Sequence, residues 1–438
     1  MNRIIDSVIL TVLLTPAAFA QFDFEQEPIS YSTAQATDPV ARLAERLRQR
    51  QVSLVWDPRH GYLTSVLQHL EVPASSQVLV FSKTSLQVSR ITPRTPRAVY
   101  FSDDVYVGWV QHGDLLELSA ADPVLGGTFY TLEQKPVEQP AIQRETTQCL
   151  QCHGSAHTRR VPGHIVRSVY PDRRGLPVYR LGTHLTDDTS PFAERFGGWY
   201  VTGTHGGLRH MGNVWIEDEN ESEQLDTAAG ANVTDLSDLV STSPYLTPHS
   251  DLVALMVLQH QTTMHNLLTA AGHAGRITAR DAVIMNRALD RPEGFESEST
   301  ARRYASAAEK VVRGLLFCGE QQLTDPVEGT SSFAADFSAR GAQDGDGRSL
   351  RQLDLKSRLF RYPCSFLIDS ASFRALPDGV RLLVWRRLAE VLNSADNTAP
   401  FSHLTSEDRQ AIREILLATC PEAARELGSF APPPPTTP

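Results

Sequence analysis

The chain has 438 residues, 41% of them hydrophobic, and a formal net charge of −10 at pH 7. This length and composition predict a globular protein of two or three domains with a sizeable core. The acidic balance, without a basic stripe of lysine and arginine, argues against a nucleic-acid-binding function.

The first 20 residues have the pattern of a secretory signal peptide. A positive start at Arg3 precedes an apolar core over residues 8–14, and the run Ala18-Phe19-Ala20 is typical of a cleavage site. The apolar core is too short to span a bilayer, and no later stretch of the sequence has transmembrane length. We therefore expect cleavage near Ala20 and a periplasmic or secreted protein without a transmembrane segment.

Residues 21–75 are predicted to form an N-terminal arm and a helical segment. The stretch 21–38 is polar and is expected to be a loose arm, whereas Asp38 followed by Pro39 is typical of a helix start.

A β-rich module is predicted over residues 76–216. Its apolar runs are rich in β-branched and aromatic residues and are separated by Pro, Gly and Asp. The predicted strands cover 78–81, 98–101, 105–110, 115–118, 128–132, 164–170, 177–181 and 198–203.

The second half of the chain has a different pattern. Residues 217–249 form an acidic stretch, which predicts a solvated linker, with a docking patch for a basic redox partner as the alternative. Residues 250–430 are predicted to be mainly helical, and 431–438 form a Pro-rich tail. The predicted helices span 250 to about 271, 298–317, 379–392 and, after a capping box, 406 to about 418. The predicted fold class is therefore α+β.

The motif that carries most chemical information is C-x-x-C-H, formed by Cys149, Cys152 and His153. Two thiols at this spacing can bind the two vinyl groups of a haem covalently, and the following imidazole can be the proximal iron ligand. Chance placement of this chain's cysteines and histidines would give roughly 0.002 such matches.

Two other kinds of site can contain a C-x-x-C pair. A zinc site could add His157, but the sequence offers no obvious fourth ligand. A dithiol oxidoreductase would need a buried strand before the first cysteine, whereas a polar run over residues 144–148 precedes it here. The sequence therefore favours one covalent haem c over zinc and over a redox-active dithiol.

At Cys149, Cys152 and His153 the chain resembles c-type cytochromes. With the runs 197–206 and 210–213, it is also similar to large periplasmic cytochrome c domain-containing proteins of environmental bacteria. This resemblance implies haem binding and electron transfer. The runs around the motif are predicted strands, unlike the helices of small cytochromes c, so a PAS-like haem c sensor module is an alternative.

The sixth iron ligand would decide between electron transfer and small-molecule chemistry. Met211 lies 59 residues after Cys152 in a Gly-rich run and is the first candidate, with His210 and His205 beside it. His260 is a further candidate, although a histidine on the apolar face of a helix is more often a core residue.

Several neighbouring side chains have open roles. Arg159, Arg160 and Arg167 are either haem propionate partners or solvated surface residues, and His157 and His164 are expected near the propionates or solvent. Trp199 and Tyr200 pack either on the porphyrin or in the core. The remaining cysteines, in the helical half, form either one disulfide or free thiols: Cys318, Cys364 and Cys420.

The sequence thus predicts a periplasmic c-type cytochrome with one covalent haem that transfers single electrons to a redox partner protein. The alternatives are a peroxidase-like haem oxidoreductase, with His205 or His210 as acid or base, and a haem c-based sensor.

Overall fold

The structure is a computed structural model that describes residues 23–217, 225–393 and 399–429. The predicted signal peptide and the Pro-rich tail lie outside the described residues. The fold is α+β as predicted: a six-stranded antiparallel sheet forms the N-terminal region, and a mainly helical half follows.

The central sheet is a meander in which each strand pairs with the next one in the chain. Pro, Gly and Asp in the connections separate the strands, and all five strand runs predicted between 78 and 132 are confirmed. The last strand was missed because its residues are polar. The strands are β1 Val78–Val80, β2 Arg97–Phe101, β3 Val105–Trp109, β4 Leu115–Asp122, β5 Gly126–Glu133 and β6 Ile142–Glu145.

The first face of this sheet packs against two short helices, α1 (Pro39–Arg48) and α2 (Leu63–His69). Asp38 caps α1 through its carboxylate, which accepts the N–H groups of Val40 and Ala41 at 2.8 and 2.9 Å. The helix start predicted at Asp38 is therefore confirmed, whereas α2 was not predicted.

The predicted acidic linker contributes to this same core. Its described part, residues 225–249, contains neither helix nor strand, but it buries Leu236, Val240 and Tyr245 against the first face. The segment is therefore a packed loop rather than a solvated linker, because these apolar side chains are interspersed among the acidic residues.

A short helix, α3 (Leu150–His153), follows the sheet and contains part of the C-x-x-C-H motif. A small hairpin of β7 (Arg167–Val169) and β8 (Thr183–Leu185) comes next. The strand predicted over 177–181 is wrong: Pro177 forms only an isolated pairing, and Tyr179–Leu181 is a single 3₁₀ turn. Pro177 has no N–H for a ladder, which explains the loss of the strand.

The strand predicted over 198–203 is also largely wrong. Trp199 and Thr202 make isolated pairings with separate segments, and only Gly203–Thr204 forms a strand, β9. Gly198 has φ of +85°, which bends the chain away from a continuous ladder. This extended segment therefore connects the sheet to the helical half instead of joining the sheet.

The helical half begins with α4 (Leu252–Ala288), a 37-residue helix capped by Asp251. It is much longer than the predicted helix that ends near residue 271. The other predicted helices are confirmed, including the capping box at Thr405. The remaining elements are α5 Glu298–Leu315, β10 Glu328–Gly329, α6 Phe333–Ala339, α7 Ala371–Arg374, α8 Asp378–Asn393, α9 Ser406–Thr419 and α10 Pro421–Ser429.

The largest core joins the two halves of the chain. Residues of the second sheet face, such as Val80, Phe101 and Tyr106, belong to the same buried cluster as α4, α5 and α8. Helix α4 is buried nearly all round over its first five turns, which explains its hydrophobic character on every side.

Candidate functional site

The C-x-x-C-H motif forms a single helical turn after β6. Cys149 has helical backbone angles (φ −63°, ψ −36°). Because Cys152 follows three residues later, the two cysteines are neighbours on one face of the helix. Leu150 is 2% exposed and anchors the turn in a small apolar cluster, whereas Cys152 is exposed and Cys149 half-buried. Neither thiol forms a disulfide, so both are available for covalent chemistry.

His153 is held by one bond that determines its tautomer. Its Nδ1 lies 2.8 Å from the carbonyl oxygen of Gly163, which can only accept, so Nδ1 donates and Nε2 keeps its lone pair. The ring packs against Phe129 of β5 with centroids 4.7 Å apart. Burial lowers the pKa of His153, which favours the neutral ring. Metal-binding histidines are commonly oriented by such a hydrogen bond from the ring nitrogen that does not bind the metal.

The segment expected to be a loose N-terminal arm instead packs beside the motif. Phe24, Ile29 and Tyr31 are each at most 2% exposed and share a cluster with Leu150 and Phe129. The expectation was wrong because these few apolar residues lie among many polar ones. The arm therefore packs directly against the motif helix.

Two interactions fix this arm. The Tyr31 hydroxyl donates to the carbonyl oxygen of Gly127 at 2.8 Å, and Arg144 donates to the carbonyl oxygens of Tyr31 and Ala34. A Cβ on Gly154, directly after the motif, would lie 2.9 Å from the ring of Phe24. Glycine at this position therefore allows the arm and the motif to pack closely.

An ion pair on the second sheet face acts on the motif. The Arg97 guanidinium lies 2.7 Å from the Glu117 carboxylate, and both side chains are mostly buried. Burial, together with the negative charges of Glu145 and Glu117, raises the pKa of Cys149 to about 11, although Arg97 acts in the opposite direction. Nε of Arg97 is buried without a hydrogen-bond partner among the described residues.

Arg97 lies flat across a strand glycine. A Cβ on Gly108 would approach Nη2 of Arg97 to 2.3 Å, so only glycine leaves room for the guanidinium.

Of the arginines proposed from the sequence, Arg159 and Arg160 are exposed, and Arg167 donates to Thr183 at 2.7 Å. Sequence reasoning missed Arg97 because it lies 52 residues before the motif, on another element.

A buried imidazole cluster behind His153 was also missed. His164 was expected near solvent or propionates, but it is 6% exposed, with Nε2 2.6 Å from the Ser119 hydroxyl. Its ring packs on Tyr106 at 4.3 Å and on Phe129 at 5.9 Å. Burial holds the pKa of His164 well below its usual range.

This cluster extends to α4 through Tyr106. The Tyr106 hydroxyl lies 2.9 Å from Nδ1 of His265, and Nε2 of His265 is 3.9 Å from the Asp104 carboxylate. Tyr106, Ser119 and Phe129 are direct register partners on β3, β4 and β5, so they share one sheet face. The alternation of side chains along these strands could have indicated from the sequence that the three residues share a face. Their partner on α4, His265, could not have been found in this way, because it lies 159 residues after Tyr106.

The four candidates for the sixth iron ligand all have other partners. Met211 is 3% exposed, with its sulfur 3.6 Å from the Ser168 hydroxyl. His260 has Nδ1 2.8 Å from the Asp188 carboxylate and Nε2 2.8 Å from the Ser365 hydroxyl, which leaves neither nitrogen free.

His205 and His210 lie together, with ring centroids 4.8 Å apart. Each accepts a backbone N–H at 3.0 Å: His205 through Nε2 from Asn232, and His210 through Nδ1 from Gly212. In a neutral ring the other nitrogen then carries the proton and has no lone pair for a metal. The structure therefore brings these two histidines together as hydrogen-bonded core residues.

The other residues proposed from the sequence have clear surroundings. The Trp199 indole donates to the carbonyl oxygen of Arg167 at 2.9 Å, and the Tyr200 hydroxyl donates to that of Pro93 at 2.7 Å, so both are core aromatics. The three cysteines of the helical half are free thiols and form no disulfide: Cys318, Cys364 and Cys420.

Among the described residues, no group of three or more His, Cys, Asp and Glu side chains is arranged to hold a metal ion. None of the described helices is long and apolar enough to cross a membrane. Comparison with protein-family models, with curated proteins and with solved structures found no match for this chain.

Proposed function

We propose that the chain is an exported c-type cytochrome that holds one haem at Cys149, Cys152 and His153 and transfers single electrons. The observation that carries the proposal is the bond from Nδ1 of His153 to Gly163, which leaves Nε2 with a lone pair one residue after the second thiol. The donor set, two free thiols and one neutral imidazole, fits a covalently attached haem.

The residues around the motif have separate tasks in this proposal. Gly163 orients the imidazole, Phe129 supports its ring, and Leu150 anchors the turn. Arg97, paired with Glu117, places a mostly buried positive charge near the motif, and such a charge favours a haem propionate in its vicinity. When bound, the haem supplies a one-electron Fe(III)/Fe(II) couple whose potential depends on burial and nearby charge.

The proposal is tested by producing the full chain in a host that matures c-type cytochromes. The wild type is expected to keep its haem after denaturation and to give a pyridine haemochrome spectrum. The double variant Cys149→Ser/Cys152→Ser should retain no covalent haem, whereas Cys318→Ser, which removes a half-buried thiol elsewhere, should retain all of it. A wild-type protein without covalent haem would overturn the proposal.

The role of His153 has its own measurement. His153→Ala is expected to change the ferric absorption spectrum, because the iron loses its proximal nitrogen. His157→Ala, which changes an exposed histidine four residues away, should leave that spectrum unchanged. Equal spectra for all three proteins would remove His153 from the proposal.

A second candidate function follows because all four candidates for the sixth iron ligand make hydrogen bonds to other groups of the protein. Met211 is the predicted ligand, but its sulfur already accepts the Ser168 hydroxyl, and both nitrogens of His260 are bonded. An iron without a protein ligand on its second side binds small molecules, as in haem sensors and peroxidase-like enzymes.

Carbon monoxide separates these two functions. Rapid binding to the reduced wild type supports a sensor or an oxidoreductase, and absence of binding supports a six-coordinate electron carrier. If Met211 is the ligand, Met211→Ala should convert a protein that does not bind carbon monoxide into one that does. A periplasmic location is part of this proposal and rests on the sequence pattern of the first 20 residues. A redox partner protein is also part of it and follows from the proposed electron transfer.

A further inference from the structure

The hydrogen bonds around Tyr106, in the buried cluster behind His153, have a defined direction. The side-chain amide of Gln261 donates to the Tyr106 hydroxyl oxygen at 2.9 Å. The hydroxyl hydrogen is therefore donated to Nδ1 of His265, which lies 2.9 Å away and accepts it. A neutral His265 then carries its own hydrogen on Nε2, 3.9 Å from Oδ1 of Asp104. Tyr106, His265 and Asp104 form an ordered series of a phenol, an imidazole and a carboxylate.

This series is arranged to stabilise a positive charge on the imidazole. Tyr106 and His265 are buried, whereas the Asp104 side chain is 31% exposed. Nε2 of His265 and Oδ1 of Asp104 face each other, and neither has a hydrogen-bond partner among the described residues. A proton added at Nδ1 would make His265 an imidazolium, which the Asp104 carboxylate attracts.

A path of packed rings joins Tyr106 to the C-x-x-C-H motif. The Tyr106 ring packs on His164 with centroids 4.3 Å apart, and His164 lies 5.9 Å from Phe129. Phe129 in turn packs on His153 at 4.7 Å. Each step is within the usual distance of packed aromatic rings, so no gap separates Tyr106 from the proposed iron ligand.

Other buried tyrosines have different surroundings. The Tyr200 hydroxyl donates to the carbonyl oxygen of Pro93, which is not a base at neutral pH. Tyr130 donates to the Asp38 carboxylate, but it follows Phe129 on β5 and therefore lies on the opposite face of the sheet. Tyr106 combines a base at its hydroxyl with ring contacts toward the motif.

We propose that Tyr106 is a redox-active tyrosine, which gives one electron to the haem after a hydroperoxide has oxidised that haem. Tyr106 loses the electron along the ring path and its hydroxyl proton to Nδ1 of His265, which leaves a neutral phenoxyl radical and an imidazolium. An electron from a reduced substrate or partner, together with the same proton, restores the phenol. The inference rests on the proposed haem site and deepens its peroxidase-like alternative.

Two features of the surroundings favour this step. An oxidised phenol is a strong acid, so His265 can take up its proton even though burial lowers the pKa of His265 to about 4. The burial of Tyr106 also excludes water from the radical, which limits side reactions.

Electron paramagnetic resonance of the full chain tests the proposal. The protein is produced in a host that matures c-type cytochromes, mixed with hydrogen peroxide and frozen. The wild type is expected to give a radical signal that narrows when the cells are grown with ring-deuterated tyrosine. Double-resonance spectra in light and heavy water should show an exchangeable proton at the phenoxyl oxygen, because His265 and Gln261 both donate there. A tyrosyl radical without such a proton would contradict the assignment.

Variants locate the radical. Tyr106→Phe should lose the signal, whereas Tyr200→Phe, which alters a buried tyrosine bonded only to a carbonyl oxygen, should keep it. His265→Asn retains a hydrogen-bonding group but no base, and should reduce the radical yield at least about tenfold. A wild-type yield in Tyr106→Phe would overturn the proposal, and thermal unfolding of each variant shows that it is folded.

The haem content of the same samples separates this inference from the proposed function. Covalent haem in the pyridine haemochrome assay, without a radical that depends on Tyr106, would overturn the role of Tyr106 and leave the haem site in place. Absence of covalent haem would overturn both.

Discussion

A histidine binds a metal only through a nitrogen that has a lone pair, so the hydrogen-bond partner of the other nitrogen decides what the residue can do. His153 donates from Nδ1 to a carbonyl oxygen and keeps Nε2 available. His205 and His210 instead accept backbone N–H groups, and each must keep its proton on the remaining nitrogen. Residues of one type within one region therefore differ in their chemistry because of single backbone contacts.

These contacts also show how much of the site the sequence could predict. The spacing of Cys149, Cys152 and His153 was visible because all three lie on one helical turn. The contribution of Arg97 and His265 was not visible, because each approaches the motif region from a distant strand or helix. Short-range patterns reveal the C-x-x-C-H motif, whereas its surroundings depend on tertiary packing.

The ionisation of a single residue, Asp104, is expected to make the free energy of unfolding depend on pH. Burial and the neighbouring Asp103 raise the pKa of Asp104 to about 6, above its ordinary value near 3.9. A raised carboxyl pKa means that its contribution to stability is fully present below about pH 4 and is lost as the pH rises through about 6. The loss is at most about 2 kcal/mol after allowance for partial exposure.

Urea unfolding at pH 4 to 7.5 measures this effect. The free energy of unfolding of the wild type minus that of Asp104→Asn should fall as the pH rises through about 6, because the variant has no ionising group at this position. Asp114→Asn is the control, since that carboxylate is 73% exposed and pairs only with an exposed arginine. If both variants follow the wild-type pH profile, Asp104 is not the group responsible.

On the scale of elements, most strands and helices followed from local patterns. The five apolar strand runs between 78 and 132 and the capping box at Thr405 were sufficient to predict their elements. The end of α4 was predicted 17 residues too early, because Gly272 and Gly275 resemble a helix end. A Cβ on Gly275 would lie 2.9 Å from Val380, so this glycine permits close helix packing instead.

The contact between α4 and α5 depends on a second glycine of this kind. A Cβ on Gly314 would lie 2.5 Å from Leu267 and 2.9 Å from the sulfur of Met264, and both side chains are buried. Gly314→Val should therefore lower the free energy of unfolding by about 2 kcal/mol or more through overpacking. Gly428→Val is the matched control on α10, where the added carbon would meet nothing within 4 Å.

Thermal unfolding of the two glycine variants decides this prediction. The expected result is a clearly lower melting temperature for Gly314→Val and a change within about 0.5 kcal/mol for Gly428→Val, as is usual at exposed positions. Equal stability of the two variants would mean that α4 and α5 can separate at no cost, contrary to the packing described above.

On the scale of the whole molecule, the sheet and the helical half share one core. Tyr106 and Phe101 of the sheet belong to the same buried cluster as Trp385 of α8. We therefore expect the full chain to unfold in one cooperative transition, because neither half can lose its partner without exposing this cluster.

Chemical denaturation followed by two probes tests this expectation. Tryptophan fluorescence and far-ultraviolet circular dichroism should give coincident midpoints, and a separately produced fragment of residues 250–429 should remain largely unfolded. A fragment that folds with the stability of the full chain, or two well-separated transitions, would show instead that the halves are independent.

The order of the six strands has a consequence for synthesis. Because each strand pairs with its predecessor in the chain, the sheet can form while the chain is still growing, from contacts of short sequence separation. Helix α4, which covers the second face, is made about 100 residues after the two thiols of the motif. During that interval the second face, where the Arg97–Glu117 ion pair lies near Cys149, has no helix to cover it.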